Sequence, residues 1–312
     1  MSSYKSNSVR FIIPLAAALL VLTGCGGSAK NAPPGKMVDT ELAQELSAAR
    51  ATFSRGAWPQ AASLYRLALK RTELMDDPAE IANAAFNYAA TLVQTADYDG
   101  ARLALAEAKV EAVRAAAPTS DIVSLEAHVA RLQGKLDDAA RLSDAVLADK
   151  AASAEDRLQA TLVKGQIACA KSDATAARAI AAQARTLIAG GTSPSFAAGI
   201  AELDGCIALL DHNPALAAER FDRQATFLRE GRLYGDMVRA LGRAGQAYAD
   251  ANQPAPAADR CFRAARSAIA QNDLTTARPL LEAATNYAAK AVDSGLIERI
   301  NQLQKTVPVG KP

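Results

Sequence analysis

Histidine is nearly missing from this 312-residue sequence: there are two, with four cysteines and one tryptophan. Two histidines leave little room for a histidine metal centre or a His-based triad. Neither His128 nor His212 has a cysteine or carboxylate at ligand spacing. No C-x-x-C, P-loop, G-x-S-x-G or H-E-x-x-H is present, so no catalytic residue, cofactor site or metal site is assigned and a non-enzymatic protein is expected. Aromatics make up 5% of the chain and are scattered, which opposes a deep aromatic-lined pocket. An excess of either charge is also lacking, with 35 Lys+Arg against 33 Asp+Glu. A nucleic-acid binder needs a basic stripe, so nucleic acid is excluded as a partner. What the chain has is alanine, about a quarter of all residues. Alanine is the best helix former and a poor strand residue, which excludes an all-β protein and gives an α/β enzyme little support.

The N-terminus reads as an address. Lys5 and Arg10 precede Phe11–Leu22, an unbroken apolar run of 12 residues. As a helix it reaches about 18 Å, too short for roughly 30 Å of hydrocarbon, and matches a secretory signal peptide. Leu22-Thr23-Gly24-Cys25 follows. It resembles the bacterial lipobox, Leu-x-(Gly or Ala)-Cys, which implies a lipoprotein: cleavage before Cys25, acyl chains such as palmitate on the new N-terminus, and an anchor. Gly26 rather than Asp after the cysteine implies, by the same resemblance, the outer membrane with the chain facing the periplasm. Without Lys5 and Arg10, 33 charges of each sign remain. Residues 1–24 are thus expected to be the signal peptide and 25–36 a flexible tether, with residues 37–305 the folded domain and 306–312 a frayed tail.

The rest of the chain repeats itself. Gly56, Trp58, Ala61, Tyr65 and Ala68 set a pattern of turn residue, large residue, alanine, aromatic and alanine. It returns at Ala96, Tyr98, Ala101, Leu105 and Ala108, and again at Gly134, Leu136, Ala139, Ser143 and Val146. Weaker copies start at Ser172, His212 and Asn252, so the spacings are 40, 38, 38, 40 and 40 residues. Seven positions before each turn stand Ala49, Ala89, Ala127, Gly165, Gly205 and Gly245, all small. This pattern resembles the tetratricopeptide repeat. Two antiparallel helices approach closely only where side chains are small, and no hairpin buries its apolar face alone, so hairpins stack. The resemblance implies an all-α fold: a right-handed α-solenoid of about six tetratricopeptide-like helical hairpins, period 38–40, with a C-terminal capping helix. The family's usual period is 34, and the excess implies one more helical turn per pair or longer loops. Asp76-Asp77-Pro78, Pro118-Thr119-Ser120-Asp121 and Gly190-Gly191-Thr192-Ser193-Pro194 each end one pair and cap the next. Thr276–Gln304 is expected to close the open end, with Pro279 in the first turn of its helix.

In that family the first helix of each pair lines a concave groove. By resemblance this makes Asn83, Asn87, His128, Gln159, Gln166, Arg239, Arg243 and Gln246 the partner-groove candidates. Amides both donate and accept, which suits peptide backbone, and Arg suits carboxylate. Cys169 and Cys206 fall on first helices of adjacent repeats; small core residues are the default, and the register leaves a bridge open. The expected function is a lipid-anchored periplasmic scaffold that holds envelope proteins for outer-membrane, pilus or secretin, or peptidoglycan machinery. The alternative is a lipoprotein that binds a small molecule or glycan.

Overall fold

Left-handed residues punctuate the chain at the expected period. In the computed structural model, which describes residues 39–188 and 193–307, Gly56, Ala96, Gly134, Ser172, His212 and Asn252 all have φ between 55° and 78°. Each ends a helix in the same way. The next residue donates its N–H back across the last turn, as Asp97 does to Leu92 O at 3.0 Å and Gln253 to Tyr248 O at 2.8 Å. At three of the six turns a short polar side chain then opens the following helix. Asp97, Asp173 and Asn213 accept from the N–H three residues on at 2.9–3.1 Å.

The result, among the described residues, is fourteen α-helices and no strand. Six hairpins follow in order: α1 (Thr40–Ser54) with α2 (Trp58–Met75), α3 (Pro78–Gln94) with α4 (Tyr98–Arg114), and α5 (Ser120–Leu132) with α6 (Leu136–Ala148). Then come α7 (Ala154–Ala170) with α8 (Ala174–Leu187), α9 (Pro194–Leu210) with α10 (Pro214–Glu230), and α11 (Tyr234–Asp250) with α12 (Pro254–Ala270). The chain is an all-α helical-repeat solenoid. Much of the excess period lies in the helices, seven of which in these hairpins run 17 residues.

Small residues sit where the helices cross. Ala49, Ala89 and Ala127 are wholly buried, as are Ala61, Ala101, Ala139, Ala177, Ala217 and Ala257 on the second helices. The glycines are tighter still. A methyl on Gly245 would meet Cys261 Sγ at 2.6 Å and the Ala257 carbonyl at 3.2 Å; one on Gly165 would meet Leu203 of the next hairpin at 2.6 Å; one on Gly205 would run into the Phe221 ring. At these crossings the space a methyl would need is already filled by the facing helix.

The cap is two helices, α13 (Leu274–Ala291) and α14 (Ser294–Lys305). Leu281, Leu296 and Ile300 cover Cys261 and Phe262 of α12. Pro279 departs from expectation. Asp273 caps the helix by accepting from Thr276 N at 3.0 Å, so the helix starts at Leu274 and Pro279 stands in its second turn. Pro279 and Thr275 are exposed, so water replaces the bond that Thr275 O loses. Cys169 and Cys206 are bridged, which ties α7 to α9; Cys261 is buried and free. The signal peptide, Cys25, the tether, Gly190-Gly191 and residues 308–312 lie outside the described residues.

The solenoid also curls on itself. Tyr234, opening α11, reaches the first turn, where a methyl on Gly56 would lie 3.6 Å from its ring. The hairpins therefore wrap around a central space.

Candidate functional site

That space is a cavity of about 440 Å³ lined chiefly by the first helices of the hairpins. Each of those helices shows it one stripe. On α5 the stripe is Asp121, Ser124, Leu125, His128, Arg131 and Leu132; on α7 it is Glu155, Gln159, Leu162 and Gln166. On α11 it is Asp236, Arg239 and Arg243. Spacings of three, four and seven place such residues on one helix face. Phe86 of α3 and Phe196 of α9 supply apolar wall.

Glu202 of α9 is the hub. One carboxylate oxygen accepts from Gln166 Nε2 at 2.9 Å, the other from Arg243 Nη1 at 2.9 Å, so α7, α9 and α11 are tied across the cavity. The Arg243 guanidinium lies 4.0 Å over the Phe221 ring, a cation–π contact. Arg239 pairs with Asp236 one turn back.

Arg131 is different. Among the described residues no carboxylate lies within ion-pair distance of it, and its buried Nε has no hydrogen-bond partner. Burial holds its pKa below the usual value, Arg243 adds to that, and Glu202 and Asp236 oppose it. Beside it the His128 ring is half-buried with Nδ1 shut from solvent and unpartnered. Burial first, then the charges of Arg131 and Arg239, pull His128 down to about 3, so it is neutral at physiological pH. At the far end Asp156 is pushed up, mainly by burial and also by Asp121 and Asp149, while its bonds with Ser153 oppose the shift.

Unpartnered buried polar atoms concentrate here. Ser124 Oγ, His128 Nδ1, Arg131 Nε, Gln166 Oε1 and Gln224 Oε1 all belong to residues of this one cavity wall. An isolated buried polar group costs about 1–3 kcal/mol. Five around one cavity mark a surface shaped to be met by polar groups from outside, water included.

The structure brings His128, Gln159, Gln166, Arg239 and Arg243 together on this wall. It places the other three candidates elsewhere. Asn87 is buried within α3 and donates to Asn83 O at 2.7 Å and Asn83 Oδ1 at 3.0 Å. Gln246 accepts from Tyr287 of the cap at 3.0 Å and donates to Asp250 at 2.8 Å. These residues hold the protein's own helices. Sequence reasoning missed Ser124, Arg131, Glu202, Gln224 and Asp236. Ser124 and Arg131 stand one turn to either side of His128, and Asp236 one turn before Arg239, so extending each stripe finds them. Gln224 lies on a second helix, for which the pattern carries no groove signal.

The sequence matches no family model and no curated protein. Solved structures share its architecture. A Rap protein complexed with competence and sporulation factor is similar over 86% of this chain and 87% of that one, with TM-score 0.58 and 12% identity. A tetratricopeptide repeat protein from Parabacteroides merdae is similar over 86% of this chain and 100% of that one, with TM-score 0.44 and 10% identity. The likeness is one of fold: tetratricopeptide-like helical pairs stacked in a solenoid.

Proposed function

We propose that this chain is a lipid-anchored, periplasm-facing scaffold of the outer membrane that binds envelope proteins in the cavity lined by its first helices. One observation carries the binding reading: five buried polar atoms without partners converge on a cavity whose wall also holds Phe86, Phe196 and leucines. A partner segment with one apolar and one polar face meets both needs. Two features support export. Leu22-Thr23-Gly24-Cys25 follows a signal-like run. The Cys169–Cys206 bridge suits an oxidising compartment. An anchor at Cys25 raises the effective concentration of the groove towards membrane-bound partners.

The test is photo-crosslinking in cells. A photoreactive side chain at Gln159 and another at Arg239 are expected to capture the same envelope protein, and one at exposed Lys171 to miss it. Cys25→Ala is expected to release the chain from the outer-membrane fraction. No crosslink from either groove position would overturn the scaffold, and a wild-type chain that fails to sediment with membranes would overturn the anchor. The cavity volume also favours a second reading, since about 300–1,000 Å³ is the range of small-molecule sites. A thermal shift of several degrees with a peptidoglycan fragment, and no protein crosslink, would select that one.

A further inference from the structure

Three guanidiniums and two carboxylates stand together on one part of the cavity wall: Arg131, Arg239 and Arg243 with Glu202 and Asp236. Both carboxylates are already engaged. Glu202 accepts from Arg243 through one oxygen and from Gln166 through the other, and Asp236 accepts from Arg239. Those pairs cancel, and Arg131 is left as the one positive charge in excess. The acidic residues Asp121, Glu155 and Asp156 line the opposite end. Asp121 precedes Arg131 by ten residues on α5, about 15 Å along the helix axis and beyond pairing reach. Arg131 lies in the last turn of α5, where the helix C-terminus favours a cation. That field closes no hydrogen bond, and the buried Nε keeps no partner. A guanidinium presents its donors in a fixed fork that fits a carboxylate through two parallel bonds.

The neighbours of Arg131 indicate what carries that carboxylate. Gln166 donates its amide N–H to Glu202, and an ionised carboxylate only accepts, so Gln166 Oε1 is a buried acceptor left over. Gln224 Oε1 is a second. Such acceptors call for N–H donors, which a peptide backbone supplies at nearly every residue. We propose that Arg131 takes a carboxylate borne by a peptide segment whose backbone N–H groups meet Gln166 and Gln224. An Asp or Glu side chain and a free C-terminus offer the same chemistry, a planar group with one negative charge. Phosphate is the poorer occupant. A phosphoryl group carries about −1.5 to −2 charge, more than the single positive excess, and would bring the surplus against Glu202 and Asp236. The inference rests on the reading of the cavity as a site for partner segments, and it adds the chemistry that such a segment must have.

Matched peptides test this. Full-length chain in detergent is titrated calorimetrically with acetyl-Leu-Ala-Glu-Ala-amide, with the same peptide carrying Gln in place of Glu, and with that Gln peptide ending in a free carboxylate. At least one of the two acidic peptides is expected to bind about tenfold more tightly than the uncharged one, and the tighter of the two names the source of the carboxylate. Arg131→Gln should bring all three level without moving the affinity for the uncharged peptide. Arg131→Lys should keep part of the preference, since it retains the charge and loses the fork. Without peptide, Arg131→Gln should melt no lower than wild type, because it removes a buried charge that has no partner; a residue that held the fold together would melt lower. Equal binding of acidic and uncharged peptides by wild type, a preference that survives Arg131→Gln, or a lowered midpoint overturns the proposal. So does binding by none of the three. The scaffold reading stands or falls separately, on the crosslinks from Gln159 and Arg239.

Discussion

Adding one methyl group at Gly205 tests the packing rule on which the solenoid stands. Residue 205 lies within α9, where alanine is intrinsically better than glycine by about 1 kcal/mol. Propensity alone therefore predicts that Gly205→Ala stabilises. The structure predicts the reverse. The new Cβ would lie 2.7 Å from Phe221 Cδ1 and 2.8 Å from Cζ, against an ordinary carbon–carbon contact of about 3.5–4.0 Å. The ring cannot swing away. It is 1% exposed and packed among Ala217, Ala218, Ala244 and Ala247, with the Arg243 guanidinium 4.0 Å from its centre. Helix α10 must then move by about 1 Å, and overpacking of this kind costs about 1–3 kcal/mol. Net of the propensity gain, Gly205→Ala should destabilise by up to about 2 kcal/mol. Gly235→Ala is the control: it is helical, and the nearest atom to its new methyl is Gln271 Oε1 at 3.8 Å. It should be neutral or stabilising by about 0.5 kcal/mol. Urea unfolding followed by far-UV circular dichroism, with the disulfide intact, reads both through their midpoints. Phe221→Leu should recover part of the Gly205→Ala loss, since residues in contact are coupled. A Gly205→Ala midpoint that rises alongside that of Gly235→Ala would refute the claim that the hairpins need minimal side chains at their crossings.

Removing the Cys169–Cys206 bridge, which joins residues separated by 37 positions, should lower stability by about 3–4 kcal/mol through loop entropy. Urea midpoints of Cys169→Ser/Cys206→Ser and wild type check this, and identical midpoints would count against it. His128 should make the protein acid-sensitive. Its folded pKa of about 3 lies below the unfolded value of about 6.5, so the unfolded chain takes up the proton first and stability falls as pH drops from 6.5 towards 3. The loss between pH 7 and pH 5 is about 2 kcal/mol, and His128→Gln should remove it. Glu107 and Asp156, whose pKa values burial raises, act in the opposite sense in both proteins and cancel in the comparison; an unchanged slope in His128→Gln would reject the assignment.

The hairpins were legible because their constraints are local. A turn, a left-handed residue and a cap sit within four positions of one another, as at Ser172-Asp173, and the small crossing residue stands at a fixed offset from them. Residue type at one offset then fixes which face is buried. Ala61 and its five counterparts are wholly buried for that reason. The site was legible only by halves. His128 and Gln166 follow from the stripe on a single helix. Asn87 obeys the same periodicity, yet it turns its amide onto Asn83 of its own helix, a choice set by local bonding that spacing does not encode. Arg131 matters for the opposite reason: what singles it out is that no carboxylate among the described residues reaches ion-pair distance, which depends on how separate helices meet. The curl that brings Tyr234 against Gly56 is likewise a sum of small rotations between hairpins, and no single repeat contains it.

The two faces of the solenoid make different demands on whatever meets them. On the convex side Leu74 and Leu103 stand in water on helices already folded, so a partner gains by removing apolar surface, at roughly 25 cal/mol per Å². In the cavity Ser124, Arg131, Gln166 and Gln224 hold buried polar atoms that only water or a ligand can satisfy. A ligand entering there must replace every hydrogen bond it takes from water, since each one left unmade costs about 1–3 kcal/mol. On the proposed reading the concave site would select its occupant by polar pattern rather than by apolar area. Neutral His128 sharpens the selection. It offers one donor and one acceptor without charge, and leaves Arg131 as the cavity's unpaired cation among the described residues.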